Sequence, residues 1–246
     1  LDPKNVYGST GLFADQCQQV VDDYLGKEFY TDEYKSVRNI VICGMGGSAY
    51  GGYVATSLFA DELKVPLISI NDYHLPGFVN QDSLVFLTSY SGSTEEVLSC
   101  AREAKEKGAK ITGFSSGGAF GDNLRDKYPG FIFNPKNNPS GQPRLGTGYV
   151  ITGTLILLNS LGIIKISETE LKQAIQEVRD FQETIKQSSQ EIAHKIQGFI
   201  PIIMASQHLV GNAHIIRNQF NETAKSFSAF EDIPELNHHL MEGLKN

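Results

Sequence analysis

The sequence predicts an α/β protein with a parallel sheet flanked by helices. Three features predict it. Short β-branched runs alternate with amphipathic stretches, polar or glycine-rich loops follow two of the runs, and 40% hydrophobic with 20% charged residues is a globular composition. A length of 246 residues allows one large domain or two smaller ones. The formal net charge of −7 argues against non-specific binding to nucleic acid or to an anionic membrane.

The first part of the chain alternates between helix and strand patterns. An amphipathic helix is predicted to lead it at residues 10–25. Strands are predicted at 39–43, 65–70, 83–88, 110–114 and 131–134, and helices at 49–59, 95–107 and 121–127. Prolines and glycines then make 134–148 a loop, and 147–161 is apolar nearly all round, as in a buried helix. We place a first domain, with its leading helix, at residues 1–162.

The second part begins with a long amphipathic stretch. Residues 167–197 predict one helix that starts with a capping box between Ser167 and Glu170. Its predicted buried stripe consists of Leu171, Ile175, Val178, Phe181, Ile185 and Ile192. A strand at 199–205, a helix at 211–223 and a strand at 226–230 follow, and then the start of a helix. We place the linking helix and an incomplete second α/β domain at 163–246.

The three cysteines do not form a recognisable site. Cys17, Cys43 and Cys100 are odd in number and far apart, so neither a zinc site nor a disulfide framework is indicated. We expect reduced thiols in a cytoplasmic protein, with no metal site. No apolar stretch reaches the roughly 20 residues of a membrane-spanning helix, so no membrane partner is expected.

A glycine loop follows the first strand and precedes a helix. Gly46, Gly47 and Ser48 lie in it, where backbone amides can approach an anion. The same loop fits the dinucleotide fingerprint, with Asp72 after the second strand as the ribose-binding acid, which predicts an oxidoreductase instead. The glycines also fit a purely structural role in close strand–helix packing.

A hydroxyl-rich loop follows the third strand. Ser89, Ser91, Ser93 and Thr94 supply four hydroxyls within six positions, whereas a helix N-cap needs only one. Because the carboxyl ends of parallel strands meet at one edge of the sheet, we expect this loop to lie beside Ser48. The two loops predict a pocket for a phosphate monoester, a ligand that the dinucleotide interpretation does not require.

Together the two loops resemble the phosphosugar-binding signature of the SIS (sugar isomerase) domain, which has a flavodoxin-like sheet. Segments 143–146, 221–225 and 234–238 are similar to the bifunctional phosphoglucose/phosphomannose isomerase family. The chain departs from the family after Glu222, at Thr223-Ala224, and after His238, where His239-Leu240 replaces Asn-Glu. The resemblance implies a cytoplasmic, cofactor-free homodimer that converts glucose 6-phosphate, and mannose 6-phosphate, into fructose 6-phosphate.

The resemblance also implies a role for three residues. Glu222 would be the base that moves the proton between C2 and C1, and Arg144 would stabilise the enediolate. His238 would open the sugar ring, reaching the site from the neighbouring subunit. Without the resemblance, Glu222 fits a solvated helical residue paired with Lys225, and Arg144 and His238 fit ordinary surface residues.

Three alternatives stay open at this point. The chain could be a non-catalytic phosphosugar-binding module, an SIS isomerase for another phosphosugar, or a dinucleotide-dependent oxidoreductase. Convergence of Glu222, Arg144 and His238 on the serine pocket would distinguish an isomerase from a binding module.

Overall fold

The computed structural model describes residues 2–243, so residues 1 and 244–246 of the two predicted domains lie outside the described residues. Five parallel strands form the first sheet: β1 (Asn39–Cys43), β2 (Leu67–Ile70), β3 (Ser83–Ser89), β4 (Lys110–Ser115) and β5 (Gly130–Ile132). Their order is β2-β1-β3-β4-β5, which confirms the flavodoxin-like parallel sheet. The order reverses between β1 and β3, and ligands of such sheets bind beyond the carboxyl ends of the strands at that point.

Helices cover both faces of this sheet. They are α1 (Val6–Thr10), α2 (Phe13–Tyr24), α3 (Asp32–Lys35), α4 (Tyr50–Leu58), α5 (Glu95–Glu106), α6 (Gly118–Asp126) and α7 (Thr147–Ser160). Ile40 and Ile42 pack in the core beneath α2 and α7, while Val41 and Cys43 pack in the core beneath α5 and α6. Because both faces are buried, the central strands β1 and β3 are apolar over most of their length without alternation. The predicted leading helix starts later, at Phe13, because Gly11 separates it from α1.

The apolar helix α7 is buried, as predicted. Tyr149, Val150 and Leu157 are fully buried, and α7 packs against α2 and α4. Across residues 2–243, no helix has both the length and the hydropathy that crossing a membrane requires.

The second part of the chain forms a small separate sheet. Its elements are α8 (Glu168–Asp180), α9 (Gln182–Ile196), β6 (Ile202–Ser206), α10 (Val210–Glu222), β7 (Ala229–Ile233) and α11 (Leu236–Gly243). Strands β6 and β7 pair in parallel, which confirms the strand–helix–strand unit. Both strands begin three residues later than predicted. Pro201 precedes β6, and the Ser228 amide before β7 donates to Asn221 Oδ1 (3.3 Å).

The single helix predicted over residues 167–197 is wrong, because it is interrupted at Phe181 between α8 and α9. The capping box is present, with the Glu170 amide donating to Ser167 Oγ (3.2 Å). Leu171 and Ile175 are buried against the first core. Val178 is partly buried against the same core, but the end of the predicted stripe is not: Phe181, Ile185 and Ile192 are 58%, 56% and 53% exposed. No residue of α9 is buried, and its Gln182 Nε2 donates to the Gly11 carbonyl (3.0 Å).

Candidate active site

The glycine loop is packed tightly against the loop that carries Arg144. Gly46 is exposed, whereas Gly47 and Ser48 are buried. A Cβ added at Gly47 would lie 3.2 Å from Arg144 Cα, so a larger residue would move the arginine loop. The Thr88 hydroxyl donates to the carbonyl oxygen of Ser48 (2.7 Å), which holds the loop to the end of β3.

The glycine loop and the serine loop lie side by side, as predicted. The backbone amide of Tyr90 donates to Ser48 Oγ (3.0 Å). Within the serine loop, Ser89 Oγ lies 2.9 Å from Thr94 Oγ1, and Ser93 Oγ donates to Ser91 Oγ (3.2 Å). The hydroxyls therefore divide into two groups: Ser48 and Ser89 are buried and shape the loops, while Ser91 and Ser93 are exposed.

Helix α5 starts from the serine loop with free amides at its N-terminus. Thr94 is its N-cap residue and makes no side-chain hydrogen bond to the first turn. Such amides, which have no intrahelical partner, can donate to an anion. The loop thus combines exposed hydroxyls with uncapped helix amides, and both kinds of group can donate hydrogen bonds to an anion.

Tyr90 connects the loops at this edge of the sheet, and the sequence analysis did not identify it. Its carbonyl oxygen accepts from the Ser116 amide (2.9 Å) and from Ser116 Oγ (2.6 Å), and its phenol oxygen accepts from Asn138 Nδ2 (2.7 Å). Burial raises the pKa of Tyr90, so the phenol stays protonated. The signal in the sequence that could have identified Tyr90 is that it is a single aromatic residue within a serine-rich loop.

Arg144 lies in the predicted loop, in a short 3₁₀ turn (Pro143–Leu145). The fully buried Gln16 of α2 holds this turn, because its Nε2 donates to the Leu145 carbonyl (2.8 Å) and its Oε1 accepts from the Gly148 amide (3.0 Å). The Arg144 side chain is 18% exposed, and its Nη1 donates to Gln142 Oε1 (2.9 Å). Side chains of Gln16 and Gln142 thus hold the loop that carries Arg144 in place.

Arg144 and Glu222 come together across the two parts of the chain. Arg144 Nη1 lies 4.0 Å from Glu222 Oε1. Glu222 is the last residue of α10, and its side chain is 45% exposed. The predicted alternative, an ion pair of Glu222 with Lys225, is not the one that the structure shows.

Glu222 also lines a cleft of about 650 Å³ between the two sheets. Gly46 and Asn71 contribute to it from the loops after β1 and β2, and α10 and β7 form the opposite side. Ser89, Ser91 and Thr94 do not line it. The glycine loop connects the two features, because Gly46 faces the cleft and Ser48 contacts the serine loop.

The sequence analysis also did not identify two aromatic side chains near the cleft, those of His214 and Tyr50. The His214 ring is stacked between Tyr53 (3.9 Å) and Phe230 (4.7 Å), and burial, with the nearby Arg217 charge, lowers the pKa of His214 to about 4. The fully buried Tyr50 has a hydroxyl without a hydrogen-bond partner of good geometry, although Asn218 lies beside it. Burial and the Glu222 charge raise the pKa of Tyr50 to about 12, so it keeps its proton.

His238 is not brought to this site within one chain. It lies on α11, is exposed, and does not line the cleft. Its neighbour His239 has Nε2 4.0 Å from Glu235 Oε1, one turn away. Asp72, the acid of the dinucleotide interpretation, uses Oδ1 to accept from the His74 amide (3.2 Å). Among residues 2–243, no group of three His, Cys, Asp or Glu side chains could hold a metal ion.

The sequence of this chain is similar to a family model and to proteins of known function. Residues 185–246 match the family model described as bacterial phospho-glucose isomerase C-terminal SIS domain. The bifunctional phosphoglucose/phosphomannose isomerase of Aquifex aeolicus is 32% identical over 236 residues, covering 94% of this chain and 71% of the relative. The D-glucosamine-6-phosphate 4-epimerase of Sulfolobus acidocaldarius is 30% identical over 225 residues, covering 88% of this chain and 69% of the relative.

Solved structures of other proteins share the fold of this chain. The C-terminal domain of glucosamine-fructose-6-phosphate aminotransferase from Francisella tularensis aligns with a TM-score of 0.71 at 12% identity, covering 96% of this chain and 71% of that one. The chain spans 60–71% of the length of the bifunctional isomerases that it matches.

Proposed function

The chain belongs to the bifunctional phosphoglucose/phosphomannose isomerase family, and we propose that it interconverts glucose 6-phosphate, and mannose 6-phosphate, with fructose 6-phosphate. The pairing of Arg144 with Glu222 beside the glycine loop carries this proposal. An aldose–ketose isomerase needs a carboxylate that can remove a proton from carbon and a cation that can stabilise the charge that develops on oxygen. These two groups come from the turn before α7 and from the end of α10.

Glu222 would act as the base. Its carboxylate is partly exposed and lines the cleft, so an open-chain sugar can reach it. It would take the proton from C2 of the aldose and return it to C1, which gives the ketose. Arg144 Nη1, 4.0 Å away, would stabilise the negative charge on the enediolate oxygens.

The serine loop would hold the phosphate. Ser91 is exposed, Thr94 is half-buried, and the first amides of α5 are uncapped. Gly46, Gly47 and Ser48 would contribute amides from the other side. With the phosphate at this edge of the sheet, the carbon chain would extend over the glycine loop towards Glu222.

His238 would open the sugar ring from a second copy of the chain. It is exposed on α11 and lies outside the cleft of its own chain, which supports a role across a dimer interface. We propose a homodimer in which His238 of the partner subunit completes each site. Three free, buried cysteines support a cytoplasmic location, where thiols stay reduced.

The E222Q variant tests the reaction, because it keeps the shape of the side chain and removes the base. We expect the kcat of the complete gene product, from glucose 6-phosphate and from mannose 6-phosphate, to fall by about 10²–10⁴. Binding of inorganic phosphate, followed by calorimetry, should hardly change, because the phosphate site lies at the serine loop. Formation of fructose 6-phosphate is the measurement.

Glu106 offers a matched control, since it is the exposed last residue of α5 as Glu222 is the last residue of α10. E106Q should leave kcat unchanged. Near-normal turnover by E222Q would exclude Glu222 as the base. A parent protein that binds both sugar phosphates and converts neither would be a binding module, or an enzyme for another phosphosugar, as the 30% identical epimerase suggests.

A further inference from the structure

Helix α10 is attached to the first part of the chain at three levels along its length. Near its start, the Gly211 amide donates to Ser57 Oγ (3.2 Å), and a Cβ on Gly211 would lie 2.3 Å from the Tyr53 carbonyl oxygen. In its middle, His214 stacks on Tyr53 (3.9 Å). Near its end, Gln219 Nε2 donates to the backbone carbonyl of Arg144 (2.9 Å). Gly211 and His214 are three residues apart and lie on one side of the helix, whereas Gln219, five residues beyond His214, lies on an adjoining side.

The Gln219 amide is bonded at both of its ends. A backbone carbonyl can only accept, so the amide nitrogen must face Arg144. The amide oxygen then faces Thr223, whose Oγ1 lies 2.7 Å from Gln219 Oε1. This arrangement leaves Gln219 one orientation.

Gln219 is placed to control the pair formed by Arg144 and Glu222. It precedes Glu222 by three residues on the same helix, so the bond to Arg144 sets where the carboxylate lies relative to the arginine loop. Gln142 holds the guanidinium of the same arginine (2.9 Å). Gln219 does not line the cleft with Glu222; it lines a separate apolar cavity of about 490 Å³ with Phe13 and Phe220.

We propose that Gln219 is a positioning residue, which fixes the separation of the Arg144 guanidinium and the Glu222 carboxylate without touching the substrate. This rests on the function proposed above for those two groups. Because proton transfer from carbon depends steeply on the placement of the base, a small shift of α10 against the arginine loop slows the reaction. The substrate phosphate, held by loops of the first domain, is unaffected by such a shift.

The Q219M variant tests this, since methionine keeps the volume and lacks the donor. In the complete gene product, we expect kcat for glucose 6-phosphate to fall about 10- to 100-fold. KM should change far less, because the interaction is used in the reaction step rather than in binding. Q219E keeps an acceptor for Thr223 but also lacks the donor, so it should show the same loss. It serves as the second variant if Q219M does not fold.

Gln182 provides the matched control. Its Nε2 donates to the Gly11 carbonyl (3.0 Å), a bond of the same type on the exposed surface. Q182M should lower the melting temperature about as much as Q219M does, and leave kcat unchanged. Equal kcat values for Q219M and Q182M, or a loss that falls mainly on KM, would overturn the positioning role alone. Absence of turnover in the unmodified protein would overturn the proposed function together with it.

Discussion

The two sheets of this chain follow the same strand–helix–strand order and differ in how they are covered. In β3 of the first sheet, every residue is buried. In β6 of the second sheet, Ile202 and Met204 are 46% and 47% exposed. Parallel strands are normally buried on both faces, but in residues 2–243 only α10 covers the second sheet extensively. Identical local patterns therefore produce a closed core in one region and an open face in the other.

The difference bears on the proposed site. The serine and glycine loops belong to the well-packed sheet, whereas Glu222 belongs to the more exposed region. Helix α10, which ends at Glu222, packs on β6 and β7 and also on α4, so the position of Glu222 depends on both sets of contacts. The loops that we propose to hold the phosphate thus belong to a closed sheet, whereas the carboxylate that we propose as the base lies in a more exposed region.

The largest expected difference between the two regions is in the cost of removing a β-strand isoleucine. Ile42 in β1 is 1% exposed and Ile202 in β6 is 46% exposed. In the 246-residue chain, we expect Ile42→Ala to lower the free energy of unfolding by about 2–5 kcal/mol. Ile202→Ala should lower it by about 0.5 kcal/mol or less. Urea denaturation measures both values.

Equal losses of unfolding free energy in Ile42→Ala and Ile202→Ala would contradict the comparison of the two sheets. A loss at Ile202 that grows towards the value at Ile42 only in the complete gene product would sharpen it, because further polypeptide would then cover the open face of β6.

A smaller effect on the free energy of unfolding is expected at acid pH from His214, which joins α10 to the first part of the chain by stacking on Tyr53. The ring of His214 stays neutral in the folded protein down to about pH 4, whereas a histidine in the unfolded chain takes up a proton near its usual pKa of 6.5. Stability is therefore fully present above pH 6.5 and falls as the pH drops from 6.5 to about 4. Allowing for solvent screening of a half-buried ring, the loss is about 1–2 kcal/mol.

His214→Phe is the informative variant, since phenylalanine keeps the stack between Tyr53 and Phe230 and cannot titrate. The difference in unfolding free energy between pH 7 and pH 4.5 should be smaller in the variant than in the parent. The same pH dependence in both proteins would show that other groups cause it.

The smallest effect on the free energy of unfolding is expected from a substitution on α9. Ile185 is 56% exposed and belongs to the part of the stripe that is not buried. Ile185→Ser should change the free energy of unfolding of this chain by about 0.5 kcal/mol or less. The same change at Ile175, which is 5% exposed, should cost several times more. A large loss at Ile185 would mean that α9 packs on another part of the chain.

Much of the first domain could be predicted from local sequence. The strands at Asn39–Cys43 and Ser83–Ser89 have apolar runs that reflect burial on two faces, and the loops that follow them meet as the parallel sheet requires. The family resemblance singled out Arg144 and Glu222 separately; their roles stay a prediction, and the structure places Arg144 Nη1 4.0 Å from Glu222 Oε1. The residues that support them, Gln16, Tyr90 and Gln219, could not be predicted, because a single polar or aromatic residue in a helix or loop has no pattern that names a distant partner.

The sequence by itself determined the α/β class, the strand order along the chain and the two loops that suit a phosphate group. Periods of 2 and 3.6 residues record which faces of an element are apolar, and glycines and hydroxyls record where a loop can approach an anion. The tertiary structure alone decided that the stripe of α8 is buried while that of α9 is exposed, and that Glu222 lies near Arg144 rather than forming an ion pair with Lys225. The physical reason is the same in both cases: burial and ion pairing depend on what lies opposite a side chain, and local periodicity does not contain that information.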